Sequence, residues 1–322
     1  MNNLELTIIS VYHDYLTKKM IETNYDLLTK LNSSTNWIWL VGDNSRPELK
    51  EKIDSAKFRV IENKEALSIN RQSCGKYWTS YQHASALNLC LTHVKTRFVV
   101  ILDNDFFVIR PKWLREGIHY LQKHNLAILG APYYPRDYRK IRYFPSMDFC
   151  TFIDSEKVPL DTLDFTPGFN KTNDDRRTAK SHTNLFNLNI RKRNIGTSHD
   201  TGYQIFLRYY NDKVARTECI KPVYKPRSDL RLFGKLGFIA NTLYELFLPD
   251  RLCYIPKQRD SYSSLDFKGF GIFDARGEGW EEHVLEDKPF GFHARSGRHQ
   301  KKNYGDDKLL AEIKKALVCV SA

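Results

Sequence analysis

The chain has 322 residues, 41% of them hydrophobic and 27% charged, with a formal net charge of +12. This is the composition of a soluble globular protein long enough for one large domain or two smaller ones, and no run of about 18 apolar residues is present to cross a membrane as a helix. Six cysteines occur without a CxxC pair, which excludes a zinc ribbon and argues for buried free thiols over a disulfide framework.

The cationic excess favours anionic partners: nucleic acid, an anionic membrane surface or phosphorylated substrates. A basic surface without a specific ligand is the plain alternative. The start, MNNLELTIISVYHDY, has no basic n-region and no small-residue cleavage site. A cytoplasmic location follows as an expectation, and the sequons at Asn32 and Asn170 then carry no meaning.

Residues 4–11 form a short apolar, β-rich run, and 16–31 follow with helical spacing through Leu16, Met20, Leu27, Leu28 and Leu31. Residues 37–42 make a second strand, broken by Asp43-Asn44-Ser45. A short helix over 47–56 and a third strand over 58–62 come next. Residues 80–94 read as a helix with Ala84, Leu87, Leu91 and Val94 on one face. Residues 97–102 are a continuous apolar strand of the kind buried on both faces of a parallel sheet. A helix over 112–124 and a strand over 126–131 complete a β-α-β-α order, which predicts an open α/β sheet with ligands beyond the carboxyl ends of its strands.

The second half is less regular. A strand is expected over 147–153, a long polar loop over 165–196, and a helix over 200–210 with Asp200 as N-cap and Gly202 in its first turn. Residues 230–248 read as an apolar core helix. The alternative is an interfacial helix, with Arg227, Arg231 and Lys235 beside Leu232, Phe233, Leu236, Phe238 and Ile239. Residues 266–305 are rich in glycine and charge.

The most informative stretch is Val99-Val100-Ile101-Leu102-Asp103-Asn104-Asp105. A buried strand runs into two carboxylates, and in a strand-like extension residues i and i+2 point the same way. Both carboxylates then converge at the sheet's carboxyl edge, where Mn2+ or Mg2+ bridges carboxylate to phosphate. The plain alternative is a turn at a strand end.

The segment from Leu6 to about Leu114 resembles the nucleotide-binding half of GT-A glycosyltransferases, particularly family 2. Four features carry the resemblance: the turn Ile9-Ser10-Val11-Tyr12, the acidic turn Val41-Gly42-Asp43-Asn44-Ser45, the helix His83-Ala84-Ser85-Ala86-Leu87-Asn88, and the Asp103-Asn104-Asp105 motif. The resemblance implies a GT-A, Rossmann-like fold: a mixed, mainly parallel central sheet with helices on both faces and a less regular C-terminal acceptor and lid region. Residues 1–130 would bind the nucleotide sugar and 131–322 the acceptor, within one continuous catalytic domain. The implied activity is metal-dependent transfer from a nucleotide sugar, UDP-linked by preference, to a glycan or lipid-linked acceptor.

By the same resemblance Asp43 contacts the base or ribose, and Ser10 and Tyr12 line the base pocket. Asn88 belongs to the donor-binding set. Asp103 lies near ribose and sugar, Asp105 binds the metal, and both count as metal ligands. His293, preferred over His299 for its apolar flanks, completes the metal site. Arg295, Arg298 and Lys301 stabilise the leaving diphosphate. Asp200 is the candidate general base of an inverting transfer, with His199 beside it. Asp148 is the fallback base and Asp174-Asp175 a weaker one. Departures from the family pattern are the turn Ser-Val-Tyr-His after the first strand and the missing arginine near Ala84 or Ala86.

A retaining transferase and a sugar nucleotidyltransferase are the alternatives, the latter disfavoured by Tyr12-His13-Asp14-Tyr15 where a Gly-rich basic loop belongs. A nucleic-acid-binding protein ranks last, since no RNP, zinc-finger or helix-turn-helix signature accompanies the charge. A peripheral membrane contact through 230–248 stays open.

Overall fold

The computed structural model describes residues 5–46, 48, 53–69, 71–74, 77–132, 144–168, 200–209, 212–223, 281–286 and 288–293. In chain order the elements are β1 (Glu5–Tyr12), α1 (Tyr15–Leu31), β2 (Asn36–Asp43), β3 (Arg59–Glu62), α2 (Lys64–Ser68), α3 (Arg71–Cys74), α4 (Trp78–Leu91), β4 (Phe98–Leu102), β5 (Phe106–Val108), α5 (Trp113–Lys123), β6 (Ile128–Gly130) and β7 (Cys150–Asp154). After these come α6 (Tyr203–Tyr209), β8 (Thr217–Cys219), β9 (Lys221–Val223), β10 (Glu281–Leu285) and β11 (Lys288–His293).

Seven strands form one sheet in the order β3-β2-β1-β4-β7-β6-β8. Pairing is parallel from β3 through β4 and between β6 and β8, and antiparallel on both sides of β7. The mixed, mainly parallel sheet expected from the sequence is therefore present. β4 lies between β1 and β7 and is buried throughout, as its unbroken apolar run requires.

Strand alternation divides the side chains between two cores. Leu6, Ile8 and Tyr12 of β1 join Ile21, Leu28, Leu114 and Leu121 from α1 and α5 on one face. Ile9 and Val11 join Ala84, Leu87, Ile205 and Phe206 from α4 and α6 on the other. The small residues Ala84 and Ala86 are both buried in α4, which packs on β1 and β2. At the head of α1 the Thr17 N–H donates to the Asp14 carboxylate at 2.9 Å and the Asp14 N–H to the Thr17 hydroxyl at 2.8 Å, a reciprocal cap that fixes the path out of β1.

A second sheet, in the order β5-β11-β10-β9, is antiparallel. It was not foreseen. β5 is three residues long, and β10 and β11 fall in the segment read as glycine-rich and charged. The helix expected over 47–56 is absent from its described part: Lys57 and Phe58 both donate to the Asp54 carbonyl in a turn. Residues 165–168 have no regular structure, as expected of the polar loop. The rest of that loop and the whole of 230–248 lie outside the described residues. No helix among the described residues is long and apolar enough to cross a membrane. Among the described cysteines all are free thiols, and burial pushes Cys90 up to about 12, which makes it unreactive.

Candidate active site

The chemistry begins where β4 ends. The Asp103 N–H donates to the Phe149 carbonyl at 2.6 Å, and the Phe106 N–H to the Asp103 carbonyl at 3.1 Å. The motif is thus a tight turn between β4 and β5, not the strand extension that its spacing suggested. Asn104, 5% exposed, holds the middle of the turn. Its Nδ2 donates to the Val11 carbonyl at 2.5 Å, and its own carbonyl accepts from Asn24 at 3.0 Å. With Asn104 tied to β1 and α1, the carboxylates on either side of it still converge on one point.

Strand register brings the third group. β11 runs antiparallel to β5 with His293 opposite Phe106, the residue after Asp105. The His293 Nε2 consequently lies 3.2 Å from the Asp105 Oδ1, with its ring between Phe149 and Phe106. Ligand atoms of Asp103, Asp105 and His293 all lie within 4.8 Å of one another. Burial raises the Asp103 carboxyl well above its ordinary range, and the charges of Asp105 and Asp148 add to it. Carboxylates this close and this dry call for a proton or a cation between them. Two carboxylates and an imidazole fit a divalent ion of the manganese type.

The antiparallel pairing of β4 with β7, Leu102 opposite Cys150, sets the turn before β7 beside this cluster. Ser146 donates to the Asp148 carboxylate there at 2.6 Å. Asp148 precedes the strand instead of lying on it. Burial, and next the charge of Asp200, push its carboxyl up to about 7.

Asp200 approaches through a turn whose Gly202 has φ +81, a conformation that favours glycine. A Cβ at Gly202 would also meet the Met147 Cβ at 2.6 Å, and the Gly202 N–H donates to the Phe165 carbonyl at 2.8 Å. The turn is thereby seated on residues 146–148, and the two carboxylates come together. α6 starts at Tyr203, so Gly202 lies ahead of the helix. The Asp200 carboxylate accepts from the adjacent Thr201 N–H at 2.9 Å, within the turn before the helix that it was expected to cap.

On the other side, Asp43 ends β2 in register with Tyr12, and its carboxylate accepts from the Ser45 N–H at 2.7 Å. Ser10 and Tyr12, near the end of β1, are both buried. The Ser10 hydroxyl donates to the Leu102 carbonyl at 2.6 Å and accepts from the Trp39 indole at 3.1 Å. Tyr12 is fully buried in the core below. Both side chains are turned into the sheet's packed face, a correction to the pocket-lining role expected of them. The Asn88 amide has other partners as well: it accepts from the Phe165 N–H at 2.9 Å and donates to Asp164 at 3.2 Å. His199, Arg295, Arg298, His299, Lys301 and Asp174-Asp175 lie outside the described residues.

Two histidines that sequence reasoning passed over stand near these groups, His13 within the field of Asp43 and His83 within that of Asp105. His13 stands one residue past β1, where the carboxyl-end rule that picked Asp43 and Asp103 would also have found it. His83 sits in α4 with its ring stacked on His13 at 5.9 Å between centroids. Burial lowers both imidazoles; His83 falls to about 3, further depressed by His13 and partly lifted by Asp105. The polar groups thus follow the strand order: Asp43 at β2, His13 at β1, the metal cluster at β4, and Asp148 before β7 with Asp200 against it.

The family model for Glycos_transf_2, glycosyl transferase family 2, matches residues 7–195, more than half of the chain. No curated protein matches. Among solved structures, the chain is similar to S. aureus TarS, at 15% identity over 40% of this chain and 21% of that one, TM-score 0.28. It is similar to the mannosyltransferase PcManGT from Pyrobaculum calidifontis, in complex with GDP-Man and Mn2+, at 17% identity over 49% of this chain and 48% of that one, TM-score 0.34. Mouse xyloside xylosyltransferase 1, apo form, matches at 8% identity over 68% of this chain and 86% of that one, TM-score 0.38. The chain therefore spans less than two thirds of the first two structures.

Proposed function

Since the chain belongs to glycosyl transferase family 2, we propose that it is a glycosyltransferase that moves a sugar from a nucleotide sugar to a glycan or lipid-linked acceptor with the aid of a divalent metal. What supports this most is the convergence of Asp103, Asp105 and His293 within 4.8 Å at the carboxyl end of a parallel sheet. The imidazole in the set favours Mn2+ over Mg2+. When bound, the metal neutralises charge on the departing diphosphate.

The rest falls to the chain's own side chains. Asp103, Asp105 and His293 would hold the metal, with Asp103 also contacting the ribose and sugar. Asp43 takes the base or ribose. Arg295, Arg298 and Lys301 keep their role on the diphosphate. UDP is the preferred nucleotide because it is the commonest in such families.

Asp200 is the general base of an inverting transfer, taking the acceptor hydroxyl proton as that oxygen attacks the anomeric carbon. The Thr201 N–H orients one of its oxygens. Asp148 is the fallback base: burial pushes its carboxyl up to about 7, in the range that suits proton transfer near neutrality.

The test is a panel of nucleotide sugars assayed for nucleoside diphosphate release with Mn2+. Turnover is expected, lost in EDTA. Full activity in the chelator overturns the metal role, and a product with retained anomeric configuration by NMR overturns Asp200 as the base of an inverting step. Failure of every nucleotide sugar to turn over overturns the reading itself.

A further inference from the structure

The polar groups lie in strand order, so a nucleotide reaching from Asp43 at β2 to the metal cluster at β4 must cross the end of β1. What stands there is the stacked pair His13 and His83. Resting on the glycosyl-transfer reading above, we propose that this pair forms the diphosphate subsite: His83 donates a ring N–H to the diphosphate, and His13 is a positioning residue that holds the His83 ring.

Three observations carry this. First, His83 is half-buried while its neighbours Gln82 and Ala84 are buried, so part of it stays accessible. Second, it feels the charge of Asp105, whereas His13 feels Asp14 and Asp43; the pair therefore bridges the two ends of the expected donor. Third, His13 is not a loose surface ring. Its backbone N–H donates to the Thr17 hydroxyl at 3.0 Å, and the reciprocal Asp14–Thr17 cap fixes the next residue, so the backbone that carries the ring is held in place.

The chemistry suits the place. Burial favours the neutral form of both imidazoles, and a neutral imidazole keeps one N–H donor. A neutral donor aimed at an anionic oxygen makes a charge-assisted hydrogen bond. Asn88 does not share this position. It lies five residues further along α4, about 140° around the helix, where it binds Asp164 and Phe165.

The experiment is calorimetric titration of the full chain with Mn2+ present, using UDP and GDP, and uridine and guanosine as probes without the diphosphate. Wild type is expected to bind one of the diphosphates. His83→Ala should weaken that binding by roughly ten- to a hundredfold, with His13→Ala weakening it less, while nucleoside binding stays unchanged. His83→Gln, which keeps a donor, should recover part of the loss and guards against a folding defect in the alanine variant. Unchanged diphosphate affinity in both His83 variants overturns the subsite while leaving the glycosyl-transfer reading intact. Equal losses for nucleoside and diphosphate also overturn it, because the pair then contacts base or ribose. If wild type binds neither diphosphate, the subsite and the reading fall together.

Discussion

The two sheets contribute to the site in different ways. In the large sheet, each polar group follows its strand in the chain: Asp43 closes β2, His13 follows β1, and Asp103 follows β4. In the small sheet, His293 reaches the same point across about 190 residues of chain, solely because β11 pairs with β5 in the register that sets His293 opposite Phe106. The first contribution depends on local sequence. The second depends on a strand pairing, and a shift of one residue would turn the imidazole to the opposite face.

The difference can be broken from either side. Asp105→Asn acts on the strand-end group that both sheets serve, and is expected to lower sugar transfer roughly a thousandfold in a steady-state assay with saturating Mn2+. His293→Ala removes only what the small sheet supplies. It should weaken Mn2+ binding by about ten- to a hundredfold, read by metal titration.

Gly291→Ala tests the register without touching a ligand. A methyl group there would meet the Phe107 carbonyl at 2.7 Å, forcing β11 away from β5. The expected cost is about 1–3 kcal/mol by urea denaturation, with Mn2+ affinity falling alongside. Stability lost with metal affinity intact would show that His293 reaches Asp105 without the pairing.

The smallest effect concerns Asp148, which the antiparallel strand β7 delivers. Its carboxyl lies at about 7 in the folded chain against 3.8 ordinarily, so across that window the folded protein keeps a proton that the unfolded chain has released. The group's contribution to stability is complete below the lower value and is lost as pH rises toward the upper one. Asp148→Asn cannot ionise. In metal-free protein it should melt about 2–4 °C above wild type near pH 8, with the gap closing toward about pH 4.

The same contrast explains what was legible in the sequence. The apolar runs of β1, β2 and β4 each end in a polar residue, so the large sheet and Asp43, Asp103 and Asp105 could be read directly. His293 came from the family resemblance, with only its apolar flanks Phe290 and Phe292 to prefer it over His299. Asp148 was weighed only as a fallback, because β7's antiparallel pairing, which sets it beside Asp103, leaves no local mark. His13 was legible but unread. His83 was hidden in a helix whose small residues drew attention to packing. Ser10 and Tyr12 show the opposite error: they have the right strand position but face inward, Ser10 bonded to Leu102 and Trp39.

The tight turn at Asp103–Asp105 is also where the chain leaves one sheet for the other, since β4 lies in the large sheet and β5, after the turn, in the small one. Its ligand set straddles that seam, two carboxylates from the crossing and one imidazole from the far side. An ion held there acts as a rivet as well as a reagent. Each tenfold excess of metal over its dissociation constant would add about 1.4 kcal/mol against separation of the sheets. A chelator should therefore expose the β10–β11 hairpin to proteases well before it unfolds the parallel core, so that loss of the ion would be recorded as a cut in the chain.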